Sequence, residues 1–291
     1  MLLAAPREKQ QLKSSVAPPR FRAAATALGL VCACGAGPQH RDGGNQTAAP
    51  ISGWVVLVTE GNATGAARGF FGLAADLESM IPCLSDGGSE GCCLVPAREG
   101  QAFSSPVIFP TNVAGLSAGA LTLTDVTSMT GIGQLTPSGN TSGVGYVGGP
   151  LAGWASGDLL EVQASGDRVP AFSKSVEAPP PLAGLGTALM EAADGTLALS
   201  VDAGSDFTIS WTADSSGDLV EAIAGGASSA TLVECIGAQV DGHITFPASL
   251  LSGQGGTWGA ITVLRTRWSS LPLADIAVGA TWELGMDAAF E

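Results

Sequence analysis

From residue 51 onward the chain is organised by short apolar runs separated by clusters of Gly, Ser, Asp and Pro. Trp54-Val55-Val56-Leu57-Val58-Thr59 is a continuous apolar run of strand length, and residues 106–109 form a shorter one. Over residues 120–126 the pattern becomes a strict two-residue alternation, Leu121 and Leu123 against Thr122 and Thr124, which predicts a half-buried strand. The stretch from Leu159 to Ala164 repeats it, with Leu160, Val162 and Ala164 on one face and Glu161 and Gln163 on the other. Ser165-Gly166-Asp167 is a turn leading into residues 168–172, so these two segments read as a hairpin.

The alternation breaks at Glu177-Ala178-Pro179-Pro180-Pro181, because three prolines cannot donate to the ladder of a central strand. Strand patterns resume at 197–201, 207–212, 219–223, 230–236, 244–246, 261–268 and 276–284, and Pro247-Ala248-Ser249-Leu250-Leu251 predicts a helical turn. Within 207–212, Phe207, Ile209 and Trp211 share one face and Thr208, Ser210 and Thr212 the other. The expectation is an all-β protein of two β-sandwich-like domains, a β-rich segment over 51–178 and a second over 179–291. The strand density of the second predicts an immunoglobulin-like sandwich. Asp206-Phe207-Thr208-Ile209-Ser210-Trp211-Thr212, followed by the turn Gly217-Asp218, resembles the early Trp-bearing strand of fibronectin type III and related immunoglobulin-like domains. The one tyrosine, Tyr146, lies outside that segment, so the tyrosine corner of that family has no residue to form it.

Composition narrows the classes of partner. Only 13% of the 291 residues are charged and 41 are Gly, which argues against long solvated helices. Acidic residues number 26 against 12 Lys and Arg, so the surface repels phosphate backbones and nucleic acid is excluded as a partner.

The basic residues are unevenly placed. Arg7, Lys9, Lys13, Arg20 and Arg22 precede the uncharged apolar run 23–33, the order of a secretory signal, and the run is too short to span a bilayer. It ends in Leu30-Val31-Cys32-Ala33-Cys34-Gly35, which resembles the bacterial lipobox; the resemblance implies cleavage before Cys34 and lipidation of that residue, with residues 1–33 as signal peptide. Residues 34–50 carry Gly, Pro and polar residues without apolar period and read as a flexible tether. Beyond the signal, seven basic residues face 25 acidic ones, a net charge of −18. The layout of lipobox, Gly-rich tether, Ser117-Ala118-Gly119 before a Leu-Thr strand, Val169-Pro170-Ala171-Phe172, the Trp211-Thr212 strand and the Cys235 strand is similar to secreted lipoproteins of myxobacteria. That similarity implies location and fold and supplies no activity.

Export implies an oxidising compartment, in which Cys83, Cys92, Cys93 and Cys235 are disulfide candidates. The turn-rich stretch 84–91 lets Cys83 reach Cys92 or Cys93, while Cys235 either bridges the two halves or stays a buried thiol. No His lies near these cysteines and no pair of Cys-x-x-Cys knuckles exists, so no zinc site or other cofactor is expected.

Several motifs have a chemical and a plain reading. Gly115-Leu116-Ser117-Ala118-Gly119 matches the nucleophile elbow of serine hydrolases, but an alternating strand follows where a helix is needed, and only His243 lies downstream. Gly143-Val144-Gly145-Tyr146-Val147-Gly148 matches the dinucleotide fingerprint by letter, with Gly149-Pro150 in place of a helix start. Ser-Gly-Asp triplets at 156–158, 165–167 and 216–218 suit hairpin corners, and could gather carboxylates for calcium only without the spaced acidic loop that calcium usually takes. His40 and His243 are too far apart in sequence and environment to predict a joint site. Of six Trp, Trp154 and Trp258 lie in Gly-rich stretches and are the exposed, ligand-stacking candidates. No catalytic set is assigned. The expected function is a lipid-anchored, extracytoplasmic binding or structural module of the bacterial cell envelope, at the outer membrane or cell surface, with the membrane and a protein or carbohydrate as partners. The alternatives are an extracellular hydrolase of polysaccharide or ester bonds and a calcium-stabilised adhesion module.

Overall fold

The computed structural model describes residues 51–59, 64–73, 83, 91–96, 115–140, 143–186, 189–191, 197–227, 229–270 and 276–291, all within one compact unit, Ala48–Glu291. The signal segment, the tether, Cys34, His40 and the strand expected at 106–109 lie outside the described residues. The described chain is all-β. Its strands are β1 (Ile51–Thr59), β2 (Thr64–Leu73), β3 (Gly91–Pro96), β4 (Leu121–Asp125), β5 (Thr130–Leu135), β6 (Ser138–Asn140), β7 (Gly143–Ala152), β8 (Leu159–Ala164), β9 (Phe172–Glu177), β10 (Leu189–Glu191), β11 (Leu197–Val201), β12 (Phe207–Ser210), β13 (Leu219–Gly226), β14 (Thr231–Ala238), β15 (His243–Phe246), β16 (Thr257–Trp268) and β17 (Ile276–Phe290). The one α-helix among the described residues, α1 (Ala248–Leu251), starts after Pro247, where the sequence places a helical turn.

The large sheet runs β3-β14-β13-β16-β17-β1-β2-β7-β6, with β11 and β10 attached beside the far end of β17. Along one side β17 pairs antiparallel with β16; along the other it pairs in parallel first with β1 and then with β11. At about 3.3 Å per residue, its 15 residues reach roughly 50 Å. Alternate residues of a strand face one side, so Ile276, Val278 and Ala280 enter a first core, while Ala288 and Phe290 enter a second and Trp282 and Met286 pack at its margin.

Each core has its own covering layer. The antiparallel sheet β5-β4-β8-β9 lays Leu121, Leu123, Leu160, Val162 and Val176 over the first core. The pair β12-β15 and α1 lay Ile209, Ile244, Phe246 and Leu251 over the second. The prolines 179–181 lie between Ala178 of the first core and Leu182 of the second, but the first core takes in Ile276, Val278 and Ala280 from the far end of the chain, and both segments contribute to one sheet. β1 of the first segment lies beside β17 of the second, and β3 extends the second segment's strands beyond β14.

The predicted alternations match the burial. β8 buries Leu160, Val162 and Ala164, and Ile209 and Trp211 are buried while Thr208 and Ser210 are exposed. The hairpin partner of β8 starts at Phe172, because residues 168–171 form an irregular turn in which Val169 is buried and donates its N–H to the Ser117 carbonyl at 2.9 Å. The Gly-rich strands β2 and β7 left no alternating pattern in the sequence. In β7, a Cβ on Gly148 would run into the Leu135 side chain, so close packing, rather than a loop, explains the glycine there.

Tyr146, fully buried on β7, meets the Phe71 ring edge-on at 5.6 Å between centroids. Its hydroxyl accepts the Ala118 N–H at 2.7 Å and donates to the Gly119 carbonyl at 2.9 Å, fixing the approach to β4. Tyr146→Phe strands both backbone groups and is expected to cost about 1–3 kcal/mol, read as a lower denaturation midpoint at an unchanged m-value.

Candidate functional site

Two polar constellations stand out, one on each face of the large sheet. On the face that carries the cores, β16 projects Ile261 and Val263 into the second core and then, at the next two positions on that face, Arg265 and Arg267. Asp218, at the foot of β13, has a fully buried carboxylate. Its Oδ2 accepts from Arg265 Nε and its Oδ1 from Arg267 Nε, both at 2.7 Å. Arg265 Nη2 also donates to Asp214 Oδ2 at 2.9 Å and to Ser216 Oγ at 3.1 Å, and Arg267 Nη1 donates to Glu177 Oε1, at the end of β9, at 2.6 Å. The cluster ties the covering sheet of the first core to the strands of the second. Bonding to Ser216, ahead of Arg265, holds the Asp214 carboxyl below its usual range, and bonding to Asp218 raises the Arg267 guanidinium.

On the opposite face, Glu221 on β13 and Glu283 on β17 both stand opposite Leu264 of β16, so about two strand spacings, roughly 9.5 Å, separate their backbones. Glu234 of β14 lies opposite Ile223, diagonal to Glu221. Glu234 and Glu283 are buried; Glu221 is partly buried as a residue, but its Oε1 is out of reach of solvent and accepts no hydrogen bond. Burial pushes the Glu221 carboxyl well above the carboxylate range, and the charges of Glu234 and Glu283 add to that. Burial raises Glu234 to about 7. Arg68 of β2 is close enough to feel the charge of Glu283, which opposes the lowering that burial imposes on its guanidinium.

The four cysteines of the described chain meet at the β3 edge of this sheet. Cys83 bonds Cys93, one of the two partners its turn-rich loop allows, and Cys92 bonds Cys235, its register partner on β14, so Cys235 bridges the halves. As neighbours on a strand, Cys92 and Cys93 point to opposite faces. The Cys83 and Cys93 sulfurs and a Glu234 carboxylate oxygen lie within 4.8 Å of one another, but with the sulfurs bonded to each other no thiolate is present to ligate a metal. An open depression of about 370 Å³ lies on the other side of β3, lined by Gly91, Cys92, Cys235, Gly237, His243 and Thr245.

The remaining sequence candidates are placed as follows. Ser117 sits in the loop before β4, where its Oγ accepts the Gly119 N–H at 3.2 Å, and a Cβ on Gly115 would strike the Val144 backbone. Residues 143–148 form a strand with Tyr146 buried at its middle. The Ser-Gly-Asp triplets occupy three separate turns with left-handed Gly157, Gly166 and Gly217. Asp158 accepts its own turn's Ala155 N–H at 2.6 Å, and Asp218 belongs to the arginine cluster. His243 is exposed, its Nδ1 3.0 Å from the Asp241 carbonyl. Trp258 is exposed, at 60%. Trp154 is not: only 4% exposed, it lies in the first core with its ring over Gly65. The glycines around it had marked a surface loop, whereas Gly65 leaves the space that the indole fills.

Sequence reading passed over Arg265, Arg267 and the three glutamates, and took Asp218 as a turn residue or calcium candidate rather than an arginine partner. The available signal was charge at positions flanked by apolar residues: Glu221 within 219–223, Glu234 within 232–236, and two arginines continuing the Ile261, Val263 alternation. No helix among the described residues is long and apolar enough to cross a membrane. The chain matches no protein-family model and no curated protein.

Arg265→Ala leaves the Asp218 carboxylate buried beside a cavity, and we expect a loss of about 3–5 kcal/mol in chemical denaturation. Glu177→Ala removes a partner that is 56% exposed and is expected to cost under about 1 kcal/mol. Folding raises Glu234 from 4.5 to about 7, so the folded chain holds a proton that the unfolded chain has released. The resulting stability is complete below about pH 4.5 and is lost as pH rises through about 7. The melting temperature is therefore expected to fall between about pH 5 and about pH 8, and Glu234→Gln to flatten that slope. Asp202 and Asp214, which are lowered instead, titrate below this window.

Proposed function

We propose that the chain is an exported, lipid-anchored binding or structural module of the bacterial cell envelope, held at a membrane through Cys34 and facing out of the cytoplasm. The observation that carries this reading is the order of the first 50 residues: a basic segment, an apolar run, Leu30-Val31-Cys32-Ala33-Cys34, and a Gly-rich tether. Acyl chains on Cys34 would contribute about 0.8 kcal/mol per buried methylene, so two or more chains anchor a protein durably. Two disulfides in the folded part fit an oxidising compartment. The acidic balance beyond the signal keeps the module off anionic lipid while the tether extends.

Within this reading the partner is a protein or carbohydrate at the cell surface, and Trp258 is the aromatic side chain offered to it. The plain roles of Ser117 in its turn and of residues 143–148 in a strand favour a binding or structural role over a serine hydrolase or a dinucleotide enzyme.

Intact-mass measurement on membrane and soluble fractions tests the anchor. The expected species starts at Cys34, carries acyl mass and sediments with membranes, and Cys34→Ser abolishes both. An unmodified chain recovered in the soluble fraction of the wild type would overturn the reading.

A further inference from the structure

The geometry points to Cys83–Cys93 as a thiol–disulfide exchange site that takes two electrons from a dithiol, with Glu234 as the acid that protonates the departing Cys83 sulfur. Three features carry the assignment: loop length and an adjoining acid set this bond apart from Cys92–Cys235, and unequal access, which both bonds share, sets the direction of attack. Cys83–Cys93 closes a loop of only 10 residues, whereas Cys92–Cys235 closes one of 143. In the chain-entropy account a bond's contribution to fold stability grows with the loop it closes, so opening the shorter loop costs the folded chain less than opening the longer one. Cys92 and Cys235 are also packed against the second core, which resists their separation.

The second feature is unequal access to the two sulfurs. Cys93, on the edge strand β3, is partly exposed, while Cys83 is 6% exposed. An incoming thiolate therefore attacks Cys93, and the electron pair of the broken S–S bond leaves on Cys83. A thiolate created in that buried position has lost its solvation, so departure is slow unless a proton arrives with it.

The third feature is the carboxyl that can deliver the proton. Glu234, buried on β14 opposite Cys93, places an oxygen within 4.8 Å of both sulfurs. Burial keeps it protonated into the neutral range, where thiols react.

The steps balance as follows. One thiolate of the dithiol bonds to Cys93 Sγ, the Cys83–Cys93 bond breaks, and Cys83 takes the Glu234 proton. The second thiolate of the same molecule then bonds to the first sulfur and releases Cys93, which is protonated from water, as is Glu234. The dithiol leaves as a cyclic disulfide, two electrons having passed to Cys83 and Cys93.

The test is limiting dithiothreitol on the oxidised full-length chain, with acid quench, alkylation and peptide mass mapping over time. We expect Cys83 and Cys93 to be alkylated at least about tenfold faster than Cys92 and Cys235. Glu234→Gln should slow opening of Cys83–Cys93 by about tenfold and leave Cys92–Cys235 unchanged, with Glu234→Asp recovering part of the rate. Opening of Cys92–Cys235 first, or of both together, in the unmutated protein would sink the assignment whatever the variants do. A wild-type rate in folded Glu234→Gln would remove the carboxyl from the chemistry.

Discussion

The rest of the structure hangs on β17 presenting one continuous face to two different cores. A strand of 15 residues extends well past any single covering layer of this protein, so its inward side passes from beneath β4 and β8, at Ile276 to Ala280, to the second core at Ala288 and Phe290. In the gap between the two cores lie buried charges, Arg265 at 2% exposure and Asp218 with a fully buried carboxylate. The positions that fall in this gap on the adjacent strand are Arg265, opposite Trp282, and Arg267, opposite Ala280. Their long stems can lie along apolar neighbours while their guanidinium groups collect Asp214 and Asp218 from one turn and Glu177 from the end of β9. A buried ion pair gains little over well-packed apolar residues, so the cluster is better understood as fixing where the covering sheets stop than as a main source of stability.

The other face of the same sheet follows a different logic. Three carboxyls share it with apolar neighbours, and the raised proton affinity of Glu221 and Glu234 means that the face is at its most stable when these two are neutral. At its edge, β3 is a short strand that would be a weak terminus on hydrogen bonds alone. One bond to the strand beside it and another back to its own upstream segment hold it from both faces, because consecutive cysteines necessarily point opposite ways. The acidic face and the disulfide edge adjoin at Glu234 and Cys93, which brings an acid next to a reducible bond in a protein otherwise lacking any assembled reactive group among its described residues.

The described architecture is tied down against local opening at several points. The loop carrying Ser117 is pinned by the Tyr146 hydroxyl, Asp158 accepts from its own turn, Ser165 accepts from Ala120, Asp218 joins the arginine cluster, and the segment boundary is closed by ion pairs. Motifs that look reactive by letter are, in this chain, devices for making turns and close strand contacts.

The sequence by itself determined the strand class and most inward faces, because a period of two is a local property: β4, β8 and β12 are read from their own residues. It also left Cys83 two partners, of which one is real. The tertiary structure alone decided that β1 lies beside β17, 223 residues away at Val55 and Val278 by register, since parallel pairing leaves no turn between the partners to announce it. It alone made strands of the Gly-rich β2 and β7, where small size serves close packing against Leu135 and Trp154. The charged groups were legible only as irregularities in apolar runs. Whether such a residue meets water, an arginine or another carboxyl depends on which strand is next to it, and that is a fact of the sheet rather than of the segment.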